Sequence, residues 1–149
     1  MKTVFTKREK GREGKEMAVC VFDNGTFSSK IGLQGDDAPR YVFPTIVGSQ
    51  ACRMGAIIEM GERDRYFGDE AVAKRSTLNL RRPVERGLFK NWDDIDSLWY
   101  YSYYNLLRVG PEEHATLLSV SPFADDRSRE KMIQILFETF CGPSVFLAS

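Results

Sequence analysis

In the stretch AVCVFDNGTFSSKIGLQG, residues 18–35, an apolar run ends in Asp23, turns through Asn24 and Gly25, and resumes with Lys30 in its second arm. A carboxylate at the end of a buried strand costs solvation free energy unless something binds it. Asn-Gly is the dipeptide that best accepts the positive φ angles of a two-residue hairpin turn. The pattern therefore predicts a hairpin with its turn at Asn24-Gly25 and chemistry at its tip. From the residues alone a second role stays open, in which Asp23 caps the turn and Lys30 points to water. The single histidine, His114, sits in PEEHATLL with no serine or cysteine nucleophile placed beside it by motif, so it reads as structural.

The composition bounds what such a tip can serve. At 149 residues with 42% hydrophobic side chains the chain is the size of one domain and can bury a core. Its 21 basic and 21 acidic residues cancel, so no global field draws it to nucleic acid or to an anionic membrane, and an anion site has to be local. Neither nucleic acid nor membrane is expected as a partner. Cys20, Cys52 and Cys141 form no CxxC pair and no cluster with histidine, and no apolar run reaches the length of a signal peptide or a membrane span. The compartment this implies is the cytoplasm, with the nucleus as the other reducing location.

The hairpin has to be held by elements the patterning also predicts. Strands are expected at 18–22, 29–33 and 40–43, the last bounded by Pro39 and Pro44, which makes a three-stranded antiparallel meander. Residues 1–16 contain KREKGREGKE, with six basic and three acidic side chains, and read as a charged flexible tail. Residues 48–64 show no clear period and read as a long loop. In NWDDIDSLWYYSYYNLLRVG, Asn91 or Asp93 caps a helix whose core face carries Ile95, Leu98, Trp99, Ser102 and Leu106, stopped by Gly110-Pro111. In DDRSREKMIQILFETFCGP, Asp125 or Asp126 caps a second helix with Met132, Ile133, Leu136, Phe137 and Phe140 as its stripe, ended at Gly142-Pro143. HATLLSV and PSVFLAS read as buried strands, parallel to each other through a crossover. The meander is thus followed by helix, strand, helix, strand, an α/β order.

That order, the DNGT hairpin, and the segments GDDAPRYVFPTIVG, YFGDEAVAKRSTLNLRRPVERG, NWDD, YNLLRVGPEEHATLL and REKMIQILFETF are similar, in the same succession, to the N-terminal half of actin and actin-related proteins. The resemblance runs from about Ala18 to the last residue, interrupted mainly over 49–62. It implies an actin-like ATPase fold of the ribonuclease H-like class over 17–149, with a small inserted subdomain at about 45–82. It further implies ATP or ADP with magnesium as ligand, held by Asp23, Asn24, Gly25, Thr26 and Lys30. In the family the turn amides donate to phosphate oxygens, the aspartate contacts the magnesium through water, and the lysine neutralises phosphate charge. Those roles suit the residue types, because magnesium keeps waters beside one or two carboxylates and successive turn amides form an anion site. The partners implied are actin or actin-like subunits and actin-binding proteins, within the cytoskeleton.

Four departures from the family pattern qualify these expectations. Phe27 stands where the family has a glycine, and a Cβ there hinders close approach of backbone to phosphate. Arg86 in RPVERG replaces a histidine in a loop near the phosphates. The first residues are basic where conventional actins are acidic. The family's water-positioning glutamine and second phosphate hairpin follow the point matching Ser149, so these residues imply one side of a cleft and negligible hydrolysis from that side alone. The same departures suit a second function, an actin-related module that binds actin or its partners without hydrolysis. The family's loop matching 49–62 inserts into a neighbouring subunit, so mobility is expected there.

Overall fold

The structure, a computed structural model, describes residues 3–6, 18–50 and 65–149, with 3–6 described in their backbone alone. In strand β2 (Val19–Asn24) the alternate residues Cys20, Phe22 and Asn24 are buried, while Val19, Val21 and Asp23 lie partly exposed. This period of two sets one face of the strand against the core. β2 pairs antiparallel with β3 (Ser28–Leu33), which pairs antiparallel with β4 (Tyr41–Pro44). The expected meander is present, with bounds shifted by one or two residues.

On its other side β2 pairs in parallel with β10 (Ala115–Ser119), which pairs in parallel with β11 (Ser144–Ala148). The outer edge of β11 carries β1 (Thr3–Thr6) in antiparallel register, completing a six-stranded sheet in the order β1-β11-β10-β2-β3-β4. Within the segment expected to be a charged tail, Thr3–Thr6 is therefore a strand. Thr-Val-Phe-Thr has high β propensity, and an edge offers it a row of unpaired backbone groups.

Between β4 and α2 (Trp92–Tyr100) the chain builds structure that hydrophobic period alone did not reveal. A second sheet, order β6-β5-β7, contains β5 (Val47–Gln50), β6 (Arg65–Phe67) and β7 (Leu78–Arg81), with α1 (Gly68–Ala73) beside it. Its apolar cluster of Ile46, Tyr66, Ala71 and Leu78 is separate from the main core. The long loop expected at 48–64 is thus corrected at its start, where Gly48 to Gln50 belong to β5. The rest of it lies outside the described residues, and so does the mobility expected over 49–62 except at Ser49 and Gln50, which are strand. A hairpin of β8 (Val84–Glu85) and β9 (Leu88–Phe89) then leads to α2.

Both helix caps fall on one of the two candidates named. Asn91 accepts from the amide of Asp94 at 3.1 Å, and Asp125 accepts from that of Ser128 at 3.1 Å to start α3 (Asp126–Glu138). α2 does not run on as an α-helix. From Tyr101 to Leu107 it continues as a π-helix, ending at Arg108 with φ 56°. The change of register buries Tyr103 and Leu107 and leaves Leu106, expected on the core face, partly exposed. At the end of α3 the left-handed residue is Cys141, φ 54°, rather than Gly142. The core joins Phe22, Trp99, Tyr103, Leu118, Met132 and Leu147, with the Phe22 and Tyr103 rings 4.8 Å apart. Tyr103 shares a 2.6 Å hydrogen bond with Thr116, and burial raises its phenol well above the usual range.

Candidate functional site

The hairpin between β2 and β3 is built around its register. Asp23 lies directly opposite Lys30, so both side chains stand on one face, with Lys30 Nζ 3.3 Å from Asp23 Oδ2. Each is about half exposed, at 48% and 47%. On the next strand, the parallel pairing of Leu118 with Phe22 brings Ser119 beside Asp23, and its hydroxyl donates to Asp23 Oδ1 at 2.5 Å. Asp23 is therefore oriented by one group from each neighbouring strand.

Asn24 points the other way. Its Nδ2 donates to Ser29 Oγ at 3.0 Å and its Oδ1 accepts from Trp99 Nε1 at 2.9 Å, inside the core. This moves the turn. Gly25 N donates to Ser28 O at 3.1 Å, so the two-residue tip is Thr26-Phe27 rather than Asn24-Gly25, and no residue from 23 to 30 takes a positive φ. Glycine at 25 serves close approach instead, because a Cβ there would stand 2.9 Å from the Ser28 carbonyl oxygen. Neither tip amide, of Thr26 or Phe27, donates to a group among the described residues. Two successive amides left open at a turn form a concavity suited to an anion.

Thr26 also ties the tip to the β8–β9 turn, its hydroxyl accepting from Gly87 N at 3.1 Å and its carbonyl from Arg82 Nη1 at 3.2 Å. That turn is Arg86-Gly87, with φ 52° and 75°, the left-handed pair typical of a tight hairpin. A Cβ on Gly87 would come 3.3 Å from Ser121 Cβ, so the turn sits against the chain just after β10. The Arg82 guanidinium lies 5.3 Å from the centre of the Phe27 ring, which is 77% exposed. Asp23, Ser119, the tip and the Arg86 turn thus meet at the carboxyl ends of parallel strands, where open α/β sheets bind ligands.

The family model for actin matches residues 14–149. The chain belongs to the actin family. The match takes in every described element except β1, which precedes it. In this actin-family chain the structure brings together Asp23, Lys30, Gly25 and Thr26, and turns the Asn24 side chain away from them. Ser119, Arg82 and the Trp99 indole contact escaped the motif reading. Ser119 was within reach once β2 and β10 were taken as parallel neighbours, since it ends its strand level with Asp23.

Among the described residues no group of three or more His, Cys, Asp or Glu side chains is placed to hold a metal, so a cation here would rely on Asp23 and on oxygens brought by its ligand. No helix among them is long and apolar enough to cross a membrane. His114 Nδ1 bonds the Gly110 carbonyl at 2.9 Å, pinning the chain before β10.

Proposed function

We propose that this actin-family chain holds the phosphates of ATP or ADP at the Asp23–Lys30 hairpin. The observation that carries the reading is Asp23, held by Lys30 and Ser119 beside two open turn amides. Lys30 supplies positive charge to phosphate oxygens, the amides of Thr26 and Phe27 donate to them, and Gly25 lets the turn stay tight. The donor set fits magnesium, which takes one or two carboxylates and otherwise keeps water and phosphate oxygens. When bound, the metal neutralises phosphate charge, and Asp23 is the residue to accept hydrogen bonds from its waters. Asn24 contributes by locking the hairpin to Trp99 rather than by touching the ligand. The six-stranded sheet corresponds in this reading to the ribonuclease H-like core, and the β5–β7 sheet with α1 to the small subdomain at about 45–82. The biological setting is the cytoplasmic cytoskeleton, with actin-like subunits and actin-binding proteins as partners.

Titration of the full chain with a fluorescent ATP analogue and magnesium tests this. Asp23→Asn is expected to weaken magnesium-dependent binding and Lys30→Gln to weaken binding with or without the metal, each about tenfold, the loss of one charge-assisted contact. Equal affinity of both variants and the parent chain would overturn the reading. A specific feature favours the second function, an actin-related module that binds partners without hydrolysis: the exposed Phe27 ring, with the Arg82 guanidinium 5.3 Å from its centre, forms a stack at the tip that phosphate would approach. If Phe27→Gly leaves nucleotide affinity unchanged, that stack does not guard the turn and the second function loses its support.

A further inference from the structure

A cleft of about 720 Å³ opens on the side of α2 away from the core, lined by Arg65, Phe67, Asp96, Tyr100, Tyr101 and Asn105. It is separate from the phosphate hairpin and shares none of its residues. Its volume lies in the range of ligand sites, and it mixes aromatic surface with a few polar groups, as such sites do.

Asp96 is the group without a counterpart. Its Oδ1 is buried and finds no hydrogen-bond donor, and the residue lines the cleft. Burial and the neighbouring Asp93 charge both raise its pKa, so the ionised form is short of stabilisation. Among the described residues the cation that acts on it is Arg65, which offsets the rise only in part and is engaged by other groups. Arg65 Nη1 donates to the Asp93 carbonyl at 2.8 Å and to Ser97 Oγ, and lies 3.9 Å from the buried Asp94 carboxylate.

The π-helical segment extends the wall that α2 provides. Asp96 and Asn105 are nine residues apart, about two and a half turns at 3.6 residues per turn, which would place them on opposite sides of an α-helix. The wider i to i+5 closure from Tyr101 to Leu107 turns Asn105 back to the cleft with Asp96 and Tyr100. Tyr100 is 57% exposed although the Tyr104 ring lies 4.5 Å from its own, so part of the ring is open to the cleft. A carboxylate, an amide and a tyrosine ring on one wall are the groups that recognise a planar guanidinium, by hydrogen bonds to its fork and by contact with the ring.

We propose that this cleft is a docking site for an arginine side chain of a partner polypeptide, with Asp96 as its counter-charge, Asn105 as a further acceptor and Tyr100 as its stacking face. The test uses the full chain, labelled with nitrogen-15, and the capped tripeptide Gly-Arg-Gly as probe. Its norvaline analogue is the uncharged control and spermidine the free-amine control. The arginine peptide is expected to shift the amide signals of Ser97, Tyr100 and Asn105. Asp96→Asn is expected to weaken it about tenfold, the loss of one hydrogen-bonded charge. Tyr100→Leu, at an exposed position that folding tolerates, should weaken it severalfold, and the same spectra report whether each variant is folded. Equal shifts from the norvaline peptide, unchanged affinity in folded Asp96→Asn, or tighter binding of spermidine than of the arginine peptide would each overturn the proposal.

Discussion

Replacing Asn24 by alanine removes the link between the hairpin and the core without touching either charged residue at its tip. The amide accepts from Trp99 Nε1 at 2.9 Å and donates to Ser29 Oγ at 3.0 Å, and Ser29 is bonded in turn to Thr45 at 2.9 Å. Ser29 and Thr45 are wholly buried and Trp99 is 1% exposed, so water does not replace the lost partner. An indole N–H left unpaired costs about 1–3 kcal/mol, and the lost bond to Ser29 adds about 1 kcal/mol, less because Ser29 keeps Thr45. The sum, about 2–4 kcal/mol, is a large part of the roughly 5–15 kcal/mol that holds a domain folded. With a urea slope of about 2 kcal/mol/M the midpoint falls by about 1–2 M. Urea titration followed by far-ultraviolet circular dichroism reads this, and a cycle with Trp99→Phe isolates the pair. The coupling is expected at about 1–2 kcal/mol. A midpoint change below about 0.3 M, or strictly additive single variants, would refute the assignment of Asn24 as the hairpin's anchor.

Arg86 holds a left-handed φ of 52°, and Arg86→Asn, which gives the turn the Asn-Gly pair, should stabilise the chain by about 1 kcal/mol in the same urea titration. Asp96 is a carboxyl whose pKa folding raises, so the native state holds its proton more tightly than the unfolded chain does. Its charge costs stability above the native pKa, and that cost is relieved as pH falls through it. Asp96→Asn should therefore raise the urea midpoint at pH 7, with the gain shrinking as the pH is lowered toward the ordinary carboxylate range. Burial pushes the Cys20 thiol up to about 12, whereas Cys141 is exposed. In a Cys52→Ser background native protein at pH 8 should take up one iodoacetamide, at Cys141, and unfolded protein two, by intact mass.

Much of this architecture is written in short-range pattern. The alternation in β2, the two apolar helix stripes and the Asn91 and Asp125 caps depend on residues within four positions of one another, where backbone geometry alone decides which side chains share a face. The family was legible for a related reason, since a succession of such segments survives as sequence. The facing of Asp23 and Lys30 follows from any tight hairpin in that stretch. Small elements were not legible: β8 and β9 have two residues each, and β5 and β6 four and three, too few to show a period.

The hairpin tip shows where local preference yields. Asn24-Gly25 has the composition of a tight turn, yet the Asn24 amide satisfies a buried indole 75 residues away, and that contact draws it into β2 and moves the turn to Thr26-Phe27. Ser119 meets Asp23 across 96 residues because β10 lies in parallel beside β2, a neighbour relation set by how the sheet buries its faces. The π-helical turn that brings Asn105 round to Asp96, and the edge of β11 that turns Thr3–Thr6 into a strand, have the same origin. Which residue types could bind an anion, and roughly where, is local chemistry carried by the chain. Which of them meet is decided by long-range burial and strand order, since those contacts join residues whose positions in sequence place no constraint on one another.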